Sequence, residues 1–87
     1  MKVEVALLGF YNDKNGPNAV MLAFEGAPTL RQVVDHGLTR FRNMGRDIDD
    51  QYMMVAIEGK VVPASAWDGT ILNDGQRCTI FPPLQGG

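Results

Sequence analysis

Cysteine is nearly absent from this 87-residue chain, with Cys78 the only one, so an internal disulfide framework is excluded. Histidine is equally scarce. No neighbouring cysteine, serine or second histidine completes a catalytic triad or a ligand set around His36. The N-terminal stretch carries no charged-then-apolar leader and no long apolar run, which argues against a secretory signal or a membrane span. Positive charge is in short supply as well, with a net charge of −2 and a pI near 5.1. A nucleic-acid binder is expected to carry a basic face. Arg31, Arg40, Arg42 and Arg46 do crowd one segment, but it runs into Asp47, Asp49 and Asp50. The arginines are therefore read as a solvated helix face and the aspartates as an acidic loop after it. A calcium loop would need a longer ligand pattern with a glycine and a distal glutamate. These exclusions leave one small domain, expected in the cytoplasm, with no nucleic acid, membrane or metal to bind. Its size is near the small end of what a hydrophobic core alone stabilises.

What is present is a regular succession of elements. From Lys2 to Phe10 the residues alternate, with Val3, Val5 and Leu7 on one side and Lys2, Glu4, Ala6, Leu8 and Phe10 on the other, the two-residue period of a strand. Residues 12–17 read as a turn, and Asn18 to Glu25 as a second strand forming a hairpin with the first. Thr29 and Gln32 have the spacing of a capping box. Leu30, Val33, Val34, Gly37, Leu38 and Phe41 then make one apolar stripe of an amphipathic helix, which Met44-Gly45 closes. Tyr52 to Glu58 is a further strand, Gly59 a turn, and Val61-Val62-Pro63 a short piece that Pro63 confines to an edge. Ala64 to Gln76 reads as loop and Arg77 to Phe81 as the last strand. This order predicts an α+β domain over residues 1–81, a single sheet with one helix packed across it.

Residues 82–87 form a different kind of segment, Pro82-Pro83-Leu84-Gln85-Gly86-Gly87. Each proline fixes φ, and the pair favours an extended path that neither strand nor helix continues. Six extended residues reach about 20 Å. Gly86 and Gly87 have no side chains, so a carboxylate at this tip can enter a narrow channel without clashing. Taken alone, the glycine pair is equally compatible with a frayed polar tail; the stiff base beneath it favours an arm that presents its tip.

The element order, the Leu72-Asn73-Asp74-Gly75 turn before the last strand, and the Phe81-to-Gly87 ending resemble the β-grasp, ubiquitin-like sulfur carriers of the MoaD and ThiS type. The resemblance covers essentially the whole chain. Pro82-Pro83 with Gly86-Gly87 two residues on is similar to MoaD, the small subunit of molybdopterin synthase, whereas Val61 to Trp67 is more similar to ThiS, the thiamine-thiazole carrier. Gln76 departs from the pattern, because both groups usually place an acidic residue there. The change implies a loss of local hydrogen bonding or charge in a turn.

The resemblance implies that the chain is not an enzyme and binds no cofactor. A ubiquitin-activating-like adenylyltransferase would use ATP to adenylate Gly87, a persulfide enzyme would supply sulfur, and the resulting thiocarboxylate would serve a sulfur-acceptor synthase subunit. Molybdopterin or tungstopterin synthesis is the favoured setting, and thiamine or another thio-metabolite the alternative. A ubiquitin-like modifier that acylates other proteins, and an inert interaction module, are the remaining readings.

A sheet with one helix has one uncovered face, so Ala6, Leu8 and Phe10, joined by Phe81 at the foot of the arm, form the expected docking face. The alternative is that Leu8 or Phe10 packs under the loop at 12–17. Met53 and Met54 should face opposite ways, with Met54 able to extend that face. Cys78 is read as a small buried hydrophobe, Trp67 as cover for the edge of the core, and His36 as a solvated helix residue.

Overall fold

The computed structural model describes residues 1–83. Five strands form one sheet: β1 (Lys2–Leu7), β2 (Ala19–Ala23), β3 (Met54–Ile57), β4 (Lys60–Val61) and β5 (Arg77–Phe81). Their spatial order is β2-β1-β5-β3-β4. The pairing is antiparallel except between β1 and β5, the first and last strands, which run side by side in parallel. Helix α1 (Leu30–Asn43) crosses one face.

The helix forms where its local signals coincide. The Thr29 hydroxyl accepts from the Gln32 amide at 3.2 Å, and the Gln32 side-chain oxygen accepts from the Thr29 amide at 2.9 Å. This satisfies two amide donors that the first turn of a helix leaves open. All six residues of the apolar stripe, Leu30, Val33, Val34, Gly37, Leu38 and Phe41, are buried. They meet Val3, Val5 and Leu7 of β1, Val55 of β3, and Cys78 and Ile80 of β5 in a single core. Gly37 is required by proximity, because a Cβ there would lie 2.9 Å from Val5 Cγ1. At the C-terminal end Gly45, with φ of +88°, takes the left-handed conformation that glycine adopts without a steric penalty.

Two turns fix the register of the strands around β5. Glu58 and Gly59 both have positive φ and join β3 to β4 through a two-residue hairpin loop. The turn at 73–76 is stitched to the start of β1: Asp74 Oδ1 accepts from the Lys2 amide at 2.6 Å, and the Gly75 amide donates to the Lys2 carbonyl at 2.8 Å. Gln76 supplies the bond that its departure from an acidic residue was expected to remove. Its side-chain oxygen accepts from the Asn73 amide at 2.7 Å, because an amide oxygen is as competent an acceptor as a carboxylate there.

Three expectations are corrected. The first strand ends at Leu7, and Gly9–Tyr11 is a 3-10 turn opened by Gly9 at φ of +68°, so Phe10 does not continue the alternation. Residues 64–76 are not all loop, since Ala64–Gly69 forms a 3-10 helix. Trp67 within it is buried against the core edge and donates from Nε1 to the Val62 carbonyl at 2.9 Å. Arg46 lies beyond the helix and off the solvated face. Its side chain is only 8% exposed. Its guanidinium donates to the carbonyls of Tyr11 and Pro17 and, at 3.0 Å, to Asn18 Oδ1, clamping the loop between β1 and β2.

Candidate functional site

The sheet face opposite α1 has no covering element among the described residues. Register decides what it presents. Ala6 pairs with Ala19 and Thr79, Thr79 with Ala56, and Ala56 with Val61, so one row of small and β-branched residues crosses all five strands on this side. Ala56 is almost fully buried although no helix lies over it, because its single methyl is recessed between taller neighbours.

That recess is the floor of an apolar groove of about 430 Å³ lined by Leu8, Gly9, Ala56, Gly59, Val61, Thr79, Phe81 and Pro82. Leu8 and Val61 stand up on either side of it, 51% and 53% exposed. The groove therefore opens where β5 ends and Pro82 begins. Away from it the same face turns polar, with Glu4 and Arg77 in an ion pair across β1 and β5. Exposed apolar side chains gathered around a concave surface are a common feature of protein interfaces.

Of the expected docking residues, the groove brings together Leu8 and Phe81. Ala6 sits on the same row as Thr79 but does not line the groove. The side chain of Phe10 lies outside what the structure describes. Leu8 is on the open face, and not packed beneath the loop at 12–17, because its amide still donates to the Ile80 carbonyl at 2.9 Å and holds it in the plane of the sheet. Met54 pairs with Phe81 on this face, whereas Met53 packs against the core. Of the arm, Pro82 borders the groove and Pro83 is exposed. Leu84, Gln85, Gly86 and Gly87 lie outside the described residues.

Val61, Ala56, Thr79 and Gly9 are groove residues that the sequence does not single out. The alternation within each strand is legible, but the β5 register that aligns Ala56 with Thr79 depends on two separate turns. Gly9 could have been found from the interruption it makes in the Leu8-to-Phe10 pattern.

The remaining reactive side chains are unsuited to chemistry at this groove. Cys78 is fully buried, and burial pushes its thiol pKa up to about 12, so it stays protonated and out of contact with reagents. His36 is exposed on the helix side, with its ring edge against Phe24 at 5.3 Å between centroids. Asp49 accepts from the Gln51 amide at 3.0 Å and Asp50 faces Arg42 at 3.7 Å, both local contacts of the loop after the helix. No helix among the described residues is long and apolar enough to cross a membrane.

The ThiS family model matches residues 5–87 of the chain. No curated protein matches it. Among solved structures it is similar to SAMP1 from Haloferax volcanii, with 18% identity, a TM-score of 0.72 and 100% of both chains covered. It is similar also to a putative molybdopterin converting factor subunit 1 from Pyrococcus furiosus, at 20% identity and a TM-score of 0.69, covering 95% of this chain and 98% of that one. A third similar structure is the complex of subunits 1 and 2 of the molybdopterin-converting factor from Helicobacter pylori 26695, at 18% identity, a TM-score of 0.62 and 100% coverage of both chains. Identities this low show a shared fold, the β-grasp of ubiquitin-like proteins.

Proposed function

Because this chain belongs to the ThiS family, we propose that it is a sulfur carrier whose C-terminal glycine is activated and converted to a thiocarboxylate for cofactor synthesis, molybdopterin or tungstopterin in the first instance. The observation that carries this reading is the placement of the apolar groove at the root of the Pro82-to-Gly87 segment. A partner seated on Leu8, Val61 and Phe81 would meet the chain where the segment that ends in the two glycines begins.

The chemistry is divided between this chain and its partners. A carboxylate acylates poorly, so an adenylyltransferase joins the Gly87 carboxylate to the α-phosphorus of ATP and releases pyrophosphate. A donor persulfide attacks the acyl carbon and expels AMP. A thiol then reduces the resulting acyl disulfide, leaving a thiocarboxylate, whose ionised sulfur is the nucleophile that the acceptor synthase uses. Cys78 supports the assignment of sulfur to the tip, since a buried, protonated thiol is not a carrier atom. ATP use and a reduced cysteine fit a cytoplasmic setting.

The molybdopterin-converting factor from Helicobacter pylori is solved as a complex of two subunits, and a comparable association with an acceptor subunit is part of this proposal. The second reading is protein modification. It is favoured by the likeness to a protein described as small archaeal modifier protein 1, and differs only in the acceptor, a lysine amine.

The intact mass of the chain, taken after incubation with ATP, a sulfur source and an activating enzyme from its own host, tests the proposal. One oxygen replaced by sulfur at Gly87 is expected, and deletion of Gly87 should abolish it without unfolding the domain. Adducts on other proteins that require Gly87 would instead establish the modifier. A chain lacking Gly87 that still transfers sulfur would overturn the carrier reading.

A further inference from the structure

We infer that Gly9 is a positioning residue for the C-terminal arm: its bare backbone is the seat for the Pro82 ring, and this contact aims the chain that follows. The inference rests on the carrier reading. A Cβ built on Gly9 would lie 2.9 Å from both Cδ and Cγ of Pro82. Side-chain carbons do not approach so closely, so a residue with a side chain at position 9 requires the ring to move. Gly9 also holds φ of +68°, the left-handed region. Two independent features, the turn's backbone and the approach of Pro82, thus select glycine at this position.

The arm's own backbone donors cannot extend the ladder at this point. The ladder between β1 and β5 carries on to the bond from the Leu8 amide to the Ile80 carbonyl, 2.9 Å long. Pro82 has no N–H with which to extend it, and neither has Pro83. Pro82 is placed by packing, and Gly9 is the surface that it packs on. Five residues of chain, 83–87, follow Pro82. They span at most about 17 Å, so each 10° of tilt at the base displaces their reach by up to about 3 Å. Misplacement of a reacting group by about 1 Å is enough to lower a rate by about a hundredfold.

The test is a double-variant cycle with the full chain and the host activating enzyme, measuring kcat and KM for C-terminal adenylation. Gly9→Asn is the informative substitution, because asparagine tolerates positive φ while still adding a Cβ. Pro82→Ala removes both ring atoms that this Cβ would meet. Gly9→Asn is expected to lower kcat at least about tenfold, with KM within twofold because Leu8, Val61 and Phe81 remain in place. A loss of folded protein would raise apparent KM instead. The combination of Gly9→Asn with Pro82→Ala should recover the kcat of Pro82→Ala alone. If the two losses multiply, the residues act independently and the inference is overturned. An unchanged kcat in Gly9→Asn overturns it equally. A contact readout that does not depend on activity is the nuclear Overhauser effect between the Gly9 Hα protons and the Pro82 ring in the wild-type chain. Its absence defeats this inference alone, whereas a wild-type chain that no host enzyme adenylates defeats the carrier reading.

Discussion

Leu8→Ala is the substitution for which the groove makes the sharpest quantitative prediction. The change removes three carbons, each contributing about 0.8 kcal/mol when taken fully out of water. Leu8 is 51% exposed in the free domain, so roughly half of that transfer is completed by folding and half remains for a partner, about 1.2 kcal/mol on docking. The dissociation constant for the activating enzyme should therefore rise about eightfold. Met21 provides the control, because it lies on the same face and is 54% exposed, but on β2 and outside the groove. Met21→Ala should change the constant by less than about twofold, a difference within the usual ±0.5 kcal/mol of an uninvolved surface site. Titration calorimetry of the two variants reads both numbers directly. A Leu8→Ala chain that binds as wild type, or a Met21→Ala chain that loses more, would refute the assignment of the groove as the docking surface.

Three further outcomes follow from the packing and electrostatics. Gly37→Ala should destabilise the domain by about 1 kcal/mol in urea unfolding, since overpacking against Val5 at 2.9 Å costs about 1–3 kcal/mol and outweighs a helix-propensity gain of about 1. In a Val5→Ala background the same change should stabilise. Arg46→Ala should cost about 2–3 kcal/mol by removing the hydrogen bonds that the guanidinium gives to the carbonyls of Tyr11 and Pro17, and Arg46→Lys should not restore it, because one ammonium cannot span both. Cys78 should resist aromatic disulfide reagents until the chain unfolds. Its thiol pKa is raised in the fold from 9.0 to about 12, so only the unfolded chain loses this proton between those values. The associated stability is complete below pH 9.0 and declines as pH rises towards about 12. Thermal scans across that window should show a shallower decline for Cys78→Ala.

The helix was legible in full, because the capping box and the apolar stripe are local patterns that name their own boundaries, and both survive in the structure. The strands were legible in kind but less so in extent. Leu8 and Phe10 continue the arithmetic of alternation past Leu7, yet Gly9 breaks the backbone between them, and period alone does not register a change of φ. The helix at 64–69 escaped notice because two 3-10 turns have no room for a stripe, and Trp67 is buried by its surroundings, not by periodicity. Arg46 misled because charge patterning assumes solvent, whereas the β1–β2 loop folds back to surround this guanidinium with carbonyls. Two of the four residues expected on the docking face, Leu8 and Phe81, line the groove. Its floor, Ala56 and Thr79, emerges only when β3 and β5 are placed in register, a long-range event.

The parallel contact of the first and last strands has a consequence for how the chain is born. β5 is the middle strand of the sheet, and without it β2-β1 and β3-β4 are two hairpins with no shared edge. A nascent chain accordingly has no sheet to complete until residues 77–81 have emerged, and its β1–β5 closure spans almost the whole polypeptide, the kind of distant pairing that slows folding. The arm is joined directly to this closing strand. On the carrier reading, the groove that a partner would occupy is complete only when this strand is in place, so a chain that has not yet docked residues 77–81 would not present it.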